Sequence, residues 1–217
     1  MEFNNASKGI KKIFTAEVLS LIASICAVIT AIFLVVMAVS AKSNSTGGAV
    51  ASLGAVGLFG IATAILAIIA YIFKIIGVNN AGKDEPAFKI ALYLIFAGLL
   101  AAVVGSFFNG NATVKSVIDI ASEVINLVIT IYIIQGCCNL ASKLGRDDVV
   151  NKGNTIFKLI IAVYILAIIA NLIVAIFNGT GAAVTAGIVA VVSAVLNVIQ
   201  YFIYISFLSK AKKMFAE

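Results

Sequence analysis

Residues 50–78 read VASLGAVGLFGIATAILAIIAYIFKIIGV, a run of 29 positions in which Lys74 is the only charged residue. A helix rises about 1.5 Å per residue, so about 20 apolar residues are enough to cross a hydrocarbon layer about 30 Å thick. This run is long enough to span a bilayer as a helix, and a soluble domain could not hide so much apolar surface. It therefore predicts a membrane protein.

Five further apolar runs of 22 residues or more share this pattern, at 18–41, 87–108, 117–138, 156–177 and 184–208. Hydrophobic residues make up 63% of the 217-residue chain and charged residues 11%, against roughly 45–50% and 25% in soluble domains. The connections are short and rich in Asn, Gly, Ser and Thr. The predicted fold is an all-α integral membrane protein, a bundle of six transmembrane helices in one domain that covers residues 1–217.

Lysine and arginine are distributed unevenly along the chain. Of the 15 cations, only Lys42 and Lys115 fall in the first and third connections, and the others lie near the two termini or the second and fourth connections. Cations beside helix ends resist translocation, so we expect a multi-pass protein of the cell membrane with both termini cytoplasmic. The net charge of +6 is then a topology signal and an attraction to anionic lipid headgroups at the cytoplasmic face, and no nucleic-acid partner is expected.

An internal repeat runs beneath the six apolar runs. A forward shift of 69 residues superposes three landmarks: Phe88 and Lys89 on Phe157 and Lys158, Asn109 and Gly110 on Asn178 and Gly179, and Tyr132 on Tyr201. We interpret the chain as three helical hairpin repeats, at 11–78, 87–141 and 154–213. The copies share one orientation, which differs from the inverted halves of many transporters and lowers the expectation of alternating access.

The fourth run carries polar residues on one helical face, at steps of four, three and four: Asp119, Glu123, Asn126 and Thr130. Polar groups inside a membrane need partners or water. Candidate partners on other runs are Asn171 in the fifth and a stripe in the sixth that includes Asn197 and Gln200. These seven residues form the candidate intramembrane polar site.

The carboxylates of this site have two interpretations. In the first, Asp119 and Glu123 exchange a cation or a proton. In the second, Lys115 pairs with Asp119 one helical turn away, and the amide side chains hold helices together by hydrogen bonds. Glu17, close to Lys11 and Lys12, is interpreted as a stabiliser of the N-terminus of the first helix.

Small residues recur at helical spacing in two of the runs: Gly54, Gly57 and Gly60 in the second, and Ala97, Ala101 and Gly105 in the third. Small side chains let helix backbones approach one another in a membrane. Both sets therefore predict close helix contacts.

Several residue types that enzymes need are absent. The chain has no histidine, which excludes a Ser-His dyad and the His-Glu-x-x-His zinc helix. Asp119 is the only aspartate within a run, so an intramembrane aspartyl pair has no second member. Cys26, Cys137 and Cys138 do not complete a tetrahedral metal site. We expect no catalytic residue, no metal and no cofactor.

The connection 138–148, CNLASKLGRDD, continues through Asn151, Lys152 and Gly153 to Ile156, Phe157 and Lys158. It resembles the connection found in a family of small multi-spanning bacterial and archaeal membrane proteins of unknown function. The resemblance implies an integral membrane protein without an assigned reaction, and it transfers no catalytic residue to this chain.

Two function classes lead the sequence-based interpretation. The first is a structural, interaction or accessory module of the membrane, with a second copy or another membrane protein as partner. The alternative is a small transporter or channel for a cation or proton that uses Asp119 and Glu123. A cavity that reaches Glu123 would favour transport, whereas acids packed against Lys115 and Asn171 without a cavity would favour the structural role.

Overall fold

The computed structural model describes the backbone of residues 3–42, 46–107, 112–176 and 182–215, and the side chains of 3–34, 53–107, 118, 120–164 and 198–215. Within these ranges the chain is helical apart from short turns, and it has no strand. The six helices are α1 (Asn4–Lys42), α2 (Thr46–Ala81), α3 (Pro86–Phe107), α4 (Ala112–Lys143), α5 (Asp147–Ile176) and α6 (Ala182–Lys213).

The helices form a ring in chain order. Each helix packs against the next, and α6 returns to pack against α1. Neighbours are antiparallel: the start of α1 meets the end of α2 at Gly9 and Gly77, and the start of α5 meets the end of α6 at Asp148 and Lys210. The start of α1, the end of α6 and the connections 82–85 and 144–146 therefore lie at one end of the ring, which we call the dense end.

Four described segments are long and apolar enough to cross a membrane: Asn4–Leu34, Leu53–Ala81, Pro86–Phe107 and Ile120–Lys143. The prediction of an all-helical chain with apolar, membrane-compatible helices is confirmed to that extent. Side chains 165–197, which fall in the fifth and sixth predicted spans, lie outside the described residues.

Two helices begin nine or more residues before the corresponding apolar runs. α1 starts at Asn4 and not at 18, and α5 starts at Asp147 and not at 156. In α1 the lysines interrupt the apolar run without ending the helix, because Ala6, Ile10 and Ile13 continue an apolar face at steps of four and three. Helix α1 is 39 residues long, about 58 Å, so it exceeds the thickness of a hydrocarbon layer.

Large apolar side chains fill the interior of the dense end. They come from all six helices, near the start of each odd-numbered helix and near the end of each even-numbered one. They are Ile10, Ile13, Val78, Phe88, Ile133, Leu140, Val149, Ile156, Phe207 and Leu208. Each is almost fully buried, which stabilises the fold by roughly 1.5–3 kcal/mol per large side chain relative to exposure in water. This end of the ring resembles the core of a soluble helical protein.

A close backbone-to-backbone contact in the dense end joins α1 and α2. A Cβ atom at Gly9 would lie 2.5 Å from the carbonyl oxygen of Gly77, and one at Gly77 would lie 2.8 Å from that of Gly9. The two backbones therefore touch, and only glycine fits at either position.

The predicted small-residue contacts are confirmed in part. A Cβ at Gly105 would lie 3.0 Å from Ile118 of α4, so this glycine allows α3 and α4 to pack closely. The contact predicted for Gly54, Gly57 and Gly60 is not seen among the described residues, where no atom lies within 4 Å of a Cβ at any of them, and it stays a prediction. The close approach of α2 to α1 occurs instead at the dense end.

Carboxylates of the 82–85 connection bind two other helices at the dense end. Asp84 accepts hydrogen bonds from the Asn5 side chain (3.1 Å) and from the backbone N–H of Ala6 (2.7 Å), which caps the N-terminus of α1. The buried Glu85 accepts hydrogen bonds from Asn139 (2.9 Å) and Lys143 (2.7 Å) at the end of α4. Burial alone would raise the pKa of Glu85, but these hydrogen bonds outweigh it and hold the pKa below its ordinary value.

The α4–α5 connection is a glycine-terminated turn. Gly145 has a φ of 65°, Arg146 N–H donates to the Ala141 carbonyl (2.8 Å), and Gly145 N–H donates to the Ser142 carbonyl (3.1 Å). This is the Schellman pattern that ends helices. Just beyond it, Lys210 (2.9 Å) and Arg146 (3.2 Å) pair with the exposed Asp148 and lower its pKa to about 2.

Consecutive helices form three antiparallel hairpins, α1–α2, α3–α4 and α5–α6. The landmarks of the 69-residue shift have different surroundings, however. Phe88 is fully buried against the position of Gly136, whereas Phe157 is 37% exposed. The sequence repeat stays a prediction.

Candidate functional site

One face of α1 changes character along its length. Residues at steps of four, three, four, three, four and three lie on this face: Ala6, Ile10, Ile13, Glu17, Ser20, Ser24 and Ala27. The first three are fully buried in the dense end, and the last three line a cavity. Glu17 lies at the boundary between the filled and the hollow parts of the interior.

A cavity of about 630 Å³, the large cavity, lies between α1, α2, α3 and α4. Most of its walls are small residues: Ser20, Ala23, Ser24, Ala27, Thr63, Ala67, Ala70, Gly98 and Ala102. Small side chains leave unfilled the space that leucine or isoleucine occupies in the dense end. The volume falls within the range of roughly 300–1,000 Å³ that is typical of small-molecule sites.

A second cavity of about 290 Å³, the small cavity, lies between α1, α2, α4, α5 and α6. It is lined by Glu17, Lys74, Asn126, Thr130, Ile160, Gln200, Tyr201 and Tyr204. Lys74 and Asn126 also line the large cavity. The two cavities therefore meet at these two side chains.

An ion pair with a buried carboxylate lies at this junction. The Lys74 ammonium is 2.9 Å from Oε1 of Glu17; the Glu17 side chain is only 6% exposed, and the Lys74 side chain is 26% exposed. The Tyr201 hydroxyl lies 2.7 Å from the Glu17 carbonyl oxygen and 3.1 Å from Oε2, and it can donate its one proton to either. The cluster joins α1, α2 and α6.

Two buried polar atoms of this cluster lack a hydrogen-bond partner among the described residues. They are the Tyr204 hydroxyl and Oε1 of Glu17, which contacts Lys74 as an ion pair without the alignment of a hydrogen bond. A buried polar group without a partner costs about 1–3 kcal/mol. Because both residues line the small cavity, the arrangement suits a polar molecule in that space.

The structure brings together three of the seven predicted site residues. Asn126, Thr130 and Gln200 all line the small cavity, so the polar faces of α4 and α6 meet there. Glu123 is exposed and lines neither cavity, and its backbone carbonyl accepts a hydrogen bond from Tyr164 (2.8 Å). Ser122 is the α4 residue at this level that lines the large cavity.

The side chains of the other predicted members lie outside the described residues. These are Asp119, Asn171 and Asn197, together with Lys115, the predicted partner of Asp119.

Sequence reasoning missed Glu17 and Lys74. The interpretation of Glu17 as an N-terminal stabiliser is wrong, because α1 begins at Asn4 and the helix dipole acts only within the first turn. A signal was present: Glu17 continues the apolar stripe of Ile10 and Ile13. An acid on a buried face requires a partner, and Lys74 is the one cation inside the second run.

The cysteines show packing roles where they are described. Cys137 is fully buried, and the Cys138 sulfur lies against Gly153 of α5. Within the described part of the chain, no three His, Cys, Asp or Glu side chains are placed to hold a metal ion.

No family model, curated protein or solved structure matches the chain. Function is therefore inferred from the geometry of the two cavities and the ion pair between them.

Proposed function

We propose that the chain is a six-span protein of the cell membrane that binds and transports a small polar solute through its interior. All six helices have 22 residues or more, and the ring closes only when α5 and α6 are included. A membrane environment accounts for the many large apolar side chains on the outside of the described helices, such as Leu58 and Phe107.

The dense end is proposed to face the cytoplasm. It holds the start of α1 and the end of α6, and exposed lysines surround it, among them Lys8, Lys11 and Lys213. Cations retained on the cytoplasmic side would also attract anionic lipid headgroups. Lipid is therefore the first partner of this end.

The observation that carries the transport proposal is the Glu17–Lys74 pair at the junction of the two cavities. Helix α3 has 22 residues, so nearly all of it is needed to cross a bilayer. Tyr71 donates to the carbonyl of Ile95, ten residues into α3 (3.2 Å), and Lys74 is one turn nearer the dense end. The ion pair is then about 10 Å inside the end of α3, at a depth where charges are costly and typically functional.

A bundle with only a structural role gains stability by filling its interior. Among the described residues, the interior is filled below Glu17 and contains the two cavities at and above it, and polar side chains surround the boundary. The carboxylate proposed to act in transport is therefore Glu17, in place of Asp119 and Glu123.

A second candidate function, a membrane interaction module, is favoured by the glycine face of α2. Gly54 and Gly57 are exposed, and no described atom lies within 4 Å of a Cβ at either. In lipid, such a face allows a second helix to approach closely. A second copy of the chain or another membrane protein would be the partner.

Proteoliposome uptake separates the two functions. Wild type, Glu17→Gln and Glu123→Gln are compared for uptake of protons, rubidium, glucose and a set of labelled amino acids. Transport through the interior predicts that wild type takes up at least one of these solutes, that Glu17→Gln abolishes the uptake, and that Glu123→Gln retains it. No uptake of any solute, or loss only in Glu123→Gln, would contradict the proposal and favour the interaction role.

A further inference from the structure

The small cavity holds one charge of each sign. Among the described residues that line it, Glu17 and Lys74 are the only ionised side chains, and they contact each other. The cavity is therefore electrically balanced before any ligand enters.

This balance restricts the charge of a ligand. A cation would compete with Lys74 for Glu17 and leave one buried positive charge uncompensated, and an anion would do the converse. Unpaired buried charges are strongly disfavoured. An uncharged apolar molecule would leave the buried Tyr204 hydroxyl without a partner.

We infer that the small cavity binds a zwitterion, whose ammonium group replaces Lys74 at Glu17 while its carboxylate pairs with Lys74 and accepts a hydrogen bond from Tyr204. This inference rests on the proposed solute-binding function. The exchange conserves the number of buried charges of each sign. It also supplies an acceptor for the Tyr204 hydroxyl, which lacks one among the described residues.

The adjoining large cavity indicates the rest of the ligand. The small cavity, about 290 Å³, is near the lower limit for a ligand site and suits a charged head. Beyond Lys74 and Asn126, the large cavity presents apolar side chains such as Ala67, Ala70, Ile95 and Leu99. The ligand class is therefore an amino acid with an apolar side chain.

Binding of three matched probes to the purified full-length chain in lipid nanodiscs tests the inference. Leucine carries both charges, leucinamide only the positive one, and 4-methylpentanoate only the negative one. Wild type is expected to bind leucine at least about tenfold more tightly than either analogue, since a charged hydrogen bond is lost in each case. Equal affinity for the three probes would overturn the inference.

Single-charge variants give a prediction with a sign. Glu17→Gln leaves Lys74 unpaired and should reverse the preference toward 4-methylpentanoate, whereas Lys74→Gln should reverse it toward leucinamide. The double variant Glu17→Gln/Lys74→Gln removes both charges together, so it leaves no buried charge without a partner and should stay folded. It should bind none of the charged probes tightly. Glu123→Gln, outside both cavities, is the matched control and should bind leucine like wild type.

Tyr204→Phe separates binding from a structural role. A hydroxyl without a partner contributes nothing to the fold, so the variant should unfold at the same temperature as wild type or a higher one. It should nevertheless bind leucine and 4-methylpentanoate several-fold more weakly, with leucinamide unchanged. Unchanged affinity for all three would contradict the role of Tyr204.

The outcomes also separate this inference from the proposed function. If glycine, leucine, phenylalanine and betaine all fail to bind while another solute is taken up in a Glu17-dependent manner, the zwitterion inference is wrong and the transport proposal stands. If none of these zwitterions binds and no solute is taken up, both are wrong.

Discussion

The dense end and the cavity region are built from the same six helices, yet one is filled and the other is hollow. At the dense end, the interior face of α1 presents Ile10 and Ile13, which belong to the same buried cluster as Phe88 and Phe207. Beyond Glu17 the same face presents Ser20 and Ser24, and it lines the large cavity. Helical periodicity is unchanged across the boundary, so the size and polarity of the interior residues decide whether the ring closes around a core or a space.

The two regions also differ in how their helices are held together. At the dense end, α1 and α2 touch through their backbones at Gly9 and Gly77, and Asp84 and Glu85 bind α1 and α4 from a connection. In the cavity region, tyrosine hydroxyls bridge neighbouring helices, as Tyr71 does to α3 and Tyr201 does to α1. We therefore expect the dense end to carry the stability and the cavity region to carry the function.

The largest expected effect is the loss of the α1–α2 backbone contact. Gly9→Leu places a side chain where Gly77 and Ala81 already lie within 2.8 Å of a Cβ, so it should lower the free energy of unfolding by about 3 kcal/mol or more. Thermal unfolding in detergent measures the change. Gly57→Leu in the same hairpin, which faces open space among the described residues, is the control and should unfold near the wild-type temperature. A similar loss of stability in Gly9→Leu and Gly57→Leu would mean that the Gly9–Gly77 contact does not cause the loss.

The next largest effect is expected at the buried carboxylate of the dense end. Glu85→Ala removes charged hydrogen bonds from Asn139 and Lys143 and should cost about 2 kcal/mol, limited because Lys143 is 48% exposed and can be solvated. Asp148→Ala is the matched control, since its ion pairs are exposed and screened. Chemical denaturation of both variants should show a clear loss only for Glu85→Ala, and equal losses would argue against a dense end held by buried polar bonds.

A smaller effect is expected at the turn between α4 and α5. Gly145→Ala forces a Cβ into the left-handed region at a φ of 65° and should cost about 1 kcal/mol. Gly145→Asn, which tolerates this conformation better, should lose less. The same unfolding assay compares them, and a more stable Gly145→Ala variant would show that the turn does not need a glycine.

The smallest effect concerns pH and the exposed Asp148. Its pKa is about 2 in the fold against an ordinary value of 3.8, so its contribution to stability is present above about pH 4 and is lost as the pH falls toward 2. The difference in unfolding temperature between wild type and Asp148→Asn should therefore shrink over that range. High salt should shrink it as well, because the partners are exposed. If the difference in unfolding temperature grew at lower pH, folding would raise the pKa of Asp148, which is the opposite of the expected direction.

The sequence predicted the helices more completely than it predicted the candidate site. Runs such as 50–78 are apolar at nearly every position, with Lys74 as the one charged residue, so membrane-length helices follow from composition alone. The start of α1 was missed because Lys8, Lys11 and Lys12 conceal the apolar face that Ala6, Ile10 and Ile13 continue. Gly9 and Gly77 carried no local signal, since each is isolated and the two are far apart in sequence.

The polar site was predicted in part for a physical reason. Relative to Asn126, Ser122 is four residues back and Glu123 three, so the two lie on either side of the Asn126 face, about 100° apart. Packing places Ser122 at the large cavity. Asn126, Thr130 and Gln200 are among the predicted site residues, and all three line the small cavity. The Glu17–Lys74 pair depends on how α1 crosses α2, which periodicity does not specify.

Thiol accessibility in native membranes tests whether the ring is hollow, with Cys26, Cys137 and Cys138 first replaced by alanine. A water-soluble thiol reagent is expected to modify Ser24→Cys and Ser122→Cys, which line the large cavity, but not Ile133→Cys in the dense end or the outward-facing Leu58→Cys, which lipid would cover. The account is contradicted if Ser24→Cys and Ser122→Cys react no faster than Ile133→Cys, since the interior would then hold no water. It is also contradicted if Leu58→Cys reacts as fast as they do, since the outer surface would then not be covered by lipid.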